Sequence, residues 1–176
     1  QQIVQGDEIA EYTHDYKTGR DSYYFYGSIA GSKGVGASLA DVDMQMVRSA
    51  ISRGTTFSDT NLRSETFYNL SGVKGEERAW YSYNYDSKGT TINDTTIYTY
   101  EVLTGANARE SERMTLSDTY DGQVSFADIN NPTNVKLSTT HYYLDAIGDT
   151  QKIFKGDEIA DYTHDYKTGR DSYYFY

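Results

Sequence analysis

Three sets of residues in this 176-residue chain have the types and spacing to do chemistry. His14 and His164 each precede an aspartate, Asp15 and Asp165, which sets an imidazole beside a carboxylate as in a general base or a metal site. Glu8, Glu77 and Glu158 recur in register with tyrosines, and two facing carboxylates would be the apparatus of a glycoside hydrolase. Asn84-x-Asp86-x-x-Gly89 echoes the opening of a calcium loop, whose oxygens would ligate a hard cation.

Each set also has a plainer account. The chain repeats itself, and the middle copy places Tyr83 where the outer copies have His14 and His164. That substitution favours an aromatic packing slot over catalysis. In the calcium-like stretch Lys88 falls on a ligand position and no bidentate Glu follows, so a turn is expected. No cofactor is expected, although calcium between acidic strands stays open. The three glutamates are expected to accept hydrogen bonds from tyrosine hydroxyls of neighbouring strands. Asn69-Leu70-Ser71 and Asn93-Asp94-Thr95 match the glycosylation sequon, which matters only in a eukaryotic secretory context. There is no G-x-S-x-G, P-loop, dinucleotide or haem-attachment motif, and no enzyme is expected.

The elements that must position these groups follow from the repeat. Residues 1–26 return as 151–176, and the differing positions are Gln2/Lys152, Val4/Phe154, Gln5/Lys155 and Glu11/Asp161. A more distant copy lies at 75–100, where Ala10/Ala79/Ala160, Tyr12/Tyr81/Tyr162 and Tyr16/Tyr85/Tyr166 stay in register. The shared residues fall at every second position, the side-chain period of a strand. Thr13 and Asp15, or Ser82, Asn84 and Asp86, lie between them and read as solvent-facing. Tyr24 and Tyr26 match Tyr98 and Tyr100, and a Gly-containing turn joins the two runs into a hairpin. A further strand precedes it: 64–70 and 138–144 share Ser, Thr, Tyr and Leu at alternate positions.

The expected fold is therefore mainly β, with tandem three-stranded antiparallel meanders, solenoid-like or stacked, joined by helical or irregular connectors. The organisation reads as a first hairpin at 1–26, a connector at 27–63, a middle repeat at 64–101, a connector at 102–137 and a last repeat at 138–176. Within the first connector Leu39, Val42, Met46, Val47, Ala50 and Ile51 have helical spacing. They predict a helix over 39–53, capped by Ser38 and ended by Gly54, that packs on its own sheet. A short helix is expected near Glu110–Leu116, with Gly122 and Asn130-Asn131-Pro132 as breakers. The two connectors are equally long: Tyr26 to Ser64 and Tyr100 to Ser138 are both 38 residues apart.

Composition narrows the function. Tyrosine supplies 19 residues and cysteine none, so the core must be built from rings, without disulfides or thiolate metal sites. A net charge of −10 makes nucleic acid an unsuitable partner. No apolar run is long enough for a membrane-spanning helix. Gln1 opens in mid-pattern, as expected of a segment cut from a longer array.

Tyr83-Asn84-Tyr85-Asp86-Ser87-Lys88-Gly89, followed by Tyr98-Thr99-Tyr100-Glu101, resembles the YD repeat of Rhs-type proteins. The whole unit is similar to the tyrosine-rich repeats of very large bacterial surface or secreted proteins. That resemblance implies a structural role at the cell surface or outside the cell, as a β-strip wound into a shell, stalk or filament. The partner would be the protein itself, as neighbouring repeats or subunits. The packing face would comprise Tyr12, Tyr16, Tyr24, Tyr26, Tyr68, Tyr81, Tyr83, Tyr85, Tyr98, Tyr100, Tyr142, Tyr162, Tyr166, Tyr174 and Tyr176. The alternatives are an adhesin module that grips glycans or proteins with exposed tyrosine faces, and a glycan hydrolase built on paired carboxylates.

Overall fold

The computed structural model describes residues 9–54, 56–70, 74–101, 113–143 and 158–176. Its strands are β1 (Tyr12–Asp15), β2 (Arg20–Gly27), β3 (Val35–Gly36), β4 (Gln45–Ser52), β5 (Leu62–Asn69), β6 (Arg78–Tyr85), β7 (Ile92–Tyr100), β8 (Met114–Asp121), β9 (Lys136–Tyr143), β10 (Ile159–Asp165) and β11 (Arg170–Tyr173). All belong to one antiparallel sheet in the order β1-β2-β4-β5-β6-β7-β8-β9-β10-β11, with β3 lying beside β2. Apart from β3, which pairs only with β2, each strand pairs with the strands next to it in the chain, and the sheet does not close on itself.

The three expected hairpins are β1–β2, β6–β7 and β10–β11. Their strands are rich in tyrosine, threonine and isoleucine, which suit a pleated surface. The outer two have the same register, Tyr12↔Tyr23 and Tyr162↔Tyr173. Their turns are held by one device. Asp15 accepts the N–H groups of Lys17 (2.8 Å) and Thr18 (3.1 Å), and Asp165 repeats this with Lys167 and Thr168. The Thr18 hydroxyl, which donates to Asp15 at 2.7 Å, and then these N–H groups hold Asp15 below its ordinary pKa, and the Thr168 N–H leads the same effect at Asp165.

The helix expected over 39–53 is absent. In its place are a short 3-10 turn, Ala37–Leu39, and the strand β4. Likewise Met114 and Leu116, read as the end of a short helix, begin strand β8; residues 110–112 lie outside the described set. The unit thus has four strands rather than three, since β4–β5 and β8–β9 each fill the space between hairpins. A register shift opposite Met46–Arg48 explains the helical look of β4. There Val47 and Arg48, adjacent in the chain, are both buried, so simple alternation fails.

Two loops fold back over one face of the sheet. The β4–β5 loop carries Phe57, whose ring lies 4.8 Å from Phe25 and 5.2 Å from Tyr23. The β8–β9 loop carries Val124, Phe126 and Ile129. Val124 and Ile129 join Phe67, Tyr81, Tyr83 and Tyr120 in the core, and Phe126 meets Trp80 edge-on. Phe67 and Tyr81 stack at 4.8 Å, and Tyr83 donates its hydroxyl to the Val124 carbonyl at 2.7 Å. Buried rings thereby do the work of an aliphatic core, with the phenol oxygen satisfied.

Candidate assembly faces and edges

Antiparallel pairing fixes which tyrosines share a face. Tyr12 faces Tyr23 and Tyr81 faces Ile97, so Tyr24 and Tyr98, one residue further on, point to the opposite side. The fifteen tyrosines expected on one packing face are therefore split between two. Tyr12, Tyr81, Tyr83, Tyr85 and Tyr162 stand on the loop-covered face. Tyr166 joins them, with its hydroxyl 3.4 Å from Thr139 Oγ1. Alternation puts Tyr24, Tyr26, Tyr68, Tyr98, Tyr100, Tyr142, Tyr174 and Tyr176 on the second face. Tyr16 lies in a turn and is 92% exposed.

The second face has its own order. One rung of paired residues runs Tyr24, Ser49, Thr66, Ser82, Thr96, Thr119, Ser138. The next runs Tyr98, Ser117, Thr140, Thr163, Ser172. The second holds no charge, and the first meets one only at its margin, where Ser138 pairs with Asp165 and Asp165 with Arg170. A tyrosine from every second strand then reaches back to a hydroxyl of the strand before it. The pairs are Tyr24–Thr13 (3.0 Å), Tyr68–Ser49 (3.1 Å), Tyr98–Ser82 (3.1 Å), Tyr142–Ser117 (3.5 Å) and Tyr174–Thr163 (3.1 Å). These tethers lay the rings across the sheet. Ser82 and Ser117, expected or placed among outward positions, are buried as a result.

The covered face contains the charged cluster that sequence reasoning missed. Arg48 is 1% exposed and Glu65 4%, and Arg48 Nε lies 2.8 Å from Glu65 Oε2, too bent for a hydrogen bond but close as an ion pair. Arg48 also bonds Asp59, Tyr85 donates its hydroxyl to Glu65, and the guanidinium sits 4.6 Å above the Phe25 ring. In the next unit the matching positions are Leu116 and Thr139, so both charges vanish together. Asp118, Lys136 and Tyr166 take over the slot around Thr139. That joint loss was the available signal.

The repeated glutamates have a backbone task. Glu77 accepts the Met46 N–H at 3.1 Å and Glu158 accepts the Met114 N–H at 2.9 Å, each reaching past the end of the intervening strand. A tyrosine hydroxyl does meet a carboxylate at Glu65, which accepts from Tyr85. Glu8 lies outside the described residues. His14 and His164 each sit 2.6 Å from an aspartate, Asp21 and Asp171, and edge-on to Tyr16 and Tyr166. Asp86 caps its own turn through the N–H groups of Thr90 and Thr91, and Asn84 donates to Asp94. Among the described residues no three His, Asp or Glu side chains are grouped to hold a metal ion.

A cleft of about 540 Å³ lies at the end of β6–β8, bordered by Trp80, Tyr100, Tyr120, Arg78, Glu101 and Asp118. Its acids are already engaged. Arg113 holds Glu101 through two bonds of 2.9 and 3.0 Å, and Lys136 lies 2.9 Å from Asp118.

At the sheet edges, β11 is a copy of the strand that holds β4. Phe25 is half-buried against Arg48 and Phe57, whereas its counterpart Phe175 is 94% exposed. Among the described residues nothing pairs with the outer side of β11. No helix of the described residues is long and apolar enough to cross a membrane. Comparison with family models, curated proteins and solved structures finds no match.

Proposed function

We propose that this chain is a structural repeat protein that builds an extracellular stalk, shell or filament by extending one β-sheet, unit after unit. The observation that carries the reading is the sameness of the two outer hairpins. Residues 162–176 repeat 12–26 without a change, including the run Ser22–Tyr26 by which β2 pairs with Met46–Ile51 of β4. The last hairpin therefore presents the surface on which a further unit, or a second subunit, docks by strand addition. The four-strand frame supports this, because each unit shields its rings with loops and strands of its neighbours. The resemblance to YD repeats points the same way. The carboxylates of the cleft are held in ion pairs, which suits scaffolding better than acid–base chemistry.

Electron microscopy of the native material tests the proposal. Rods or thin-walled shells of constant width are expected. Discrete compact particles would overturn it.

A further inference from the structure

The stripe formed by Tyr24, Tyr68, Tyr98, Tyr142 and Tyr174 has a geometry that assembly does not require. Four of the five lie on β2, β5, β7 and β9 and Tyr174 directly follows β11, which together mark every second strand of the sheet. Neighbouring strands are about 4.8 Å apart, so successive rings repeat at roughly 10 Å across the sheet. Each ring is pinned across the surface by its hydroxyl, as described above, and so offers a face rather than an edge. Tyr24, Tyr68, Tyr98 and Tyr142 are half-buried and Tyr174 is 45% exposed. Between the outer strands the two rungs that cross them hold only serine and threonine, with charge confined to the margin at Asp165 and Arg170, in a chain that carries 42 charged residues (16 basic and 26 acidic).

From these features we infer that the stripe binds a single, uncharged, extended β-1,4-linked polysaccharide chain. The ring spacing is close to the disaccharide repeat of such a chain, so every second sugar would meet a tyrosine face. The hydroxyl rungs between rings match the sugar hydroxyls, and the carboxylate at the rung's margin, Asp165, together with the chain's net charge of −10, opposes uronic-acid polymers as preferred ligands. Sheet twist decides between a single chain and a crystalline surface. Adjacent strands rotate by about 20–25°, so the stripe winds as it crosses the sheet. A lone flexible chain can follow that path and a flat crystal face cannot. This inference goes beyond the structural reading and does not depend on it.

Isothermal titration of the full chain with cello-oligosaccharides of increasing length tests it, with malto-oligosaccharides and polygalacturonate as comparators. Affinity should rise with oligosaccharide length until the ligand spans the stripe. Tyr98→Ala and Tyr142→Ala should each weaken binding by about tenfold, the loss of one stacked ring, while Tyr98→Phe keeps most of it. Tyr24→Ala and Tyr174→Ala, nearer the sheet margins, give the same test if the central changes unfold the chain. Equal affinity for malto-oligosaccharides, affinity independent of length, or unchanged binding in the alanine variants would overturn the inference. So would no binding to any cello-oligosaccharide.

Discussion

Arg48 and Glu65 show what a buried charge costs and supplies at a single position. Both are removed from water, and each is tolerable only because the other is there, with Asp59 and Tyr85 completing the cluster. Removing one partner leaves the other unpaired. Glu65→Ala is expected to lower unfolding free energy by about 3–5 kcal/mol, read from denaturant midpoints. The paired change Arg48→Leu with Glu65→Thr, which installs the residues of the next unit, should cost far less. Neither charge was legible as structural from local pattern, which does not bring residues from β4 and β5 to the same spot. Only pairing across the sheet does that. Their joint replacement by Leu116 and Thr139 signals a pair only once β4 is matched to β8.

Tyrosine burial sets a second expectation at this scale. Burial holds Tyr81, Tyr85 and Tyr100 protonated well above the ordinary value of 10.0, and at Tyr85 the hydrogen bond to Glu65 adds to it. The folded state therefore keeps protons that the unfolded chain releases. Stability from these groups is fully present below the unfolded tyrosine pKa of about 10, and it is lost as pH rises through that value and beyond. Alkaline titration followed by tyrosinate absorbance should show a block of tyrosines ionising together with loss of the strand circular dichroism. Independent titration of all of them near their ordinary value would contradict the packing described.

At the level of strands, the hydroxyl tethers are the smallest repeated device. Tyr98→Phe leaves the buried Ser82 hydroxyl without its tyrosine partner and should cost about 1 kcal/mol, whereas adding Ser82→Ala should recover most of that loss. A double-mutant cycle by thermal unfolding measures the coupling. Turn geometry gives a second case. Gly89 adopts φ +75°, and a Cβ there would lie 2.8 Å from the Asn61–Leu62 backbone. Gly89→Ala should destabilise by about 2 kcal/mol in the same assay.

The hairpins were readable at this level because ring positions alternate and glycines mark the turns. The side on which each ring faces was not readable. A one-residue change of register flips a strand, and the register depends on turn geometry that composition leaves open. β4 was misread for a related reason. Val47 is buried beside Gly27 and Gly34 while Arg48 is buried on the sheet, and two adjacent buried residues mimic a helical spacing.

On the scale of the molecule, the sheet is a run of one four-strand frame with the same hairpin at both ends. Constant connector length with free sequence, visible from Tyr26–Ser64 and Tyr100–Ser138, was the trace of that frame. Its content was hidden because β4 and β8 share few residues, and equivalence between them rests on pairing partners rather than identity. Glu77 and Glu158 bind each unit to the one before it by capping a bulged strand two places away. On the proposed function, such a design would extend without changing its cross-section.

Small-angle scattering of the chain over a concentration series tests this most directly. A constant cross-sectional radius with a maximum dimension that grows with concentration is the predicted result. A compact particle whose size is independent of concentration would contradict it.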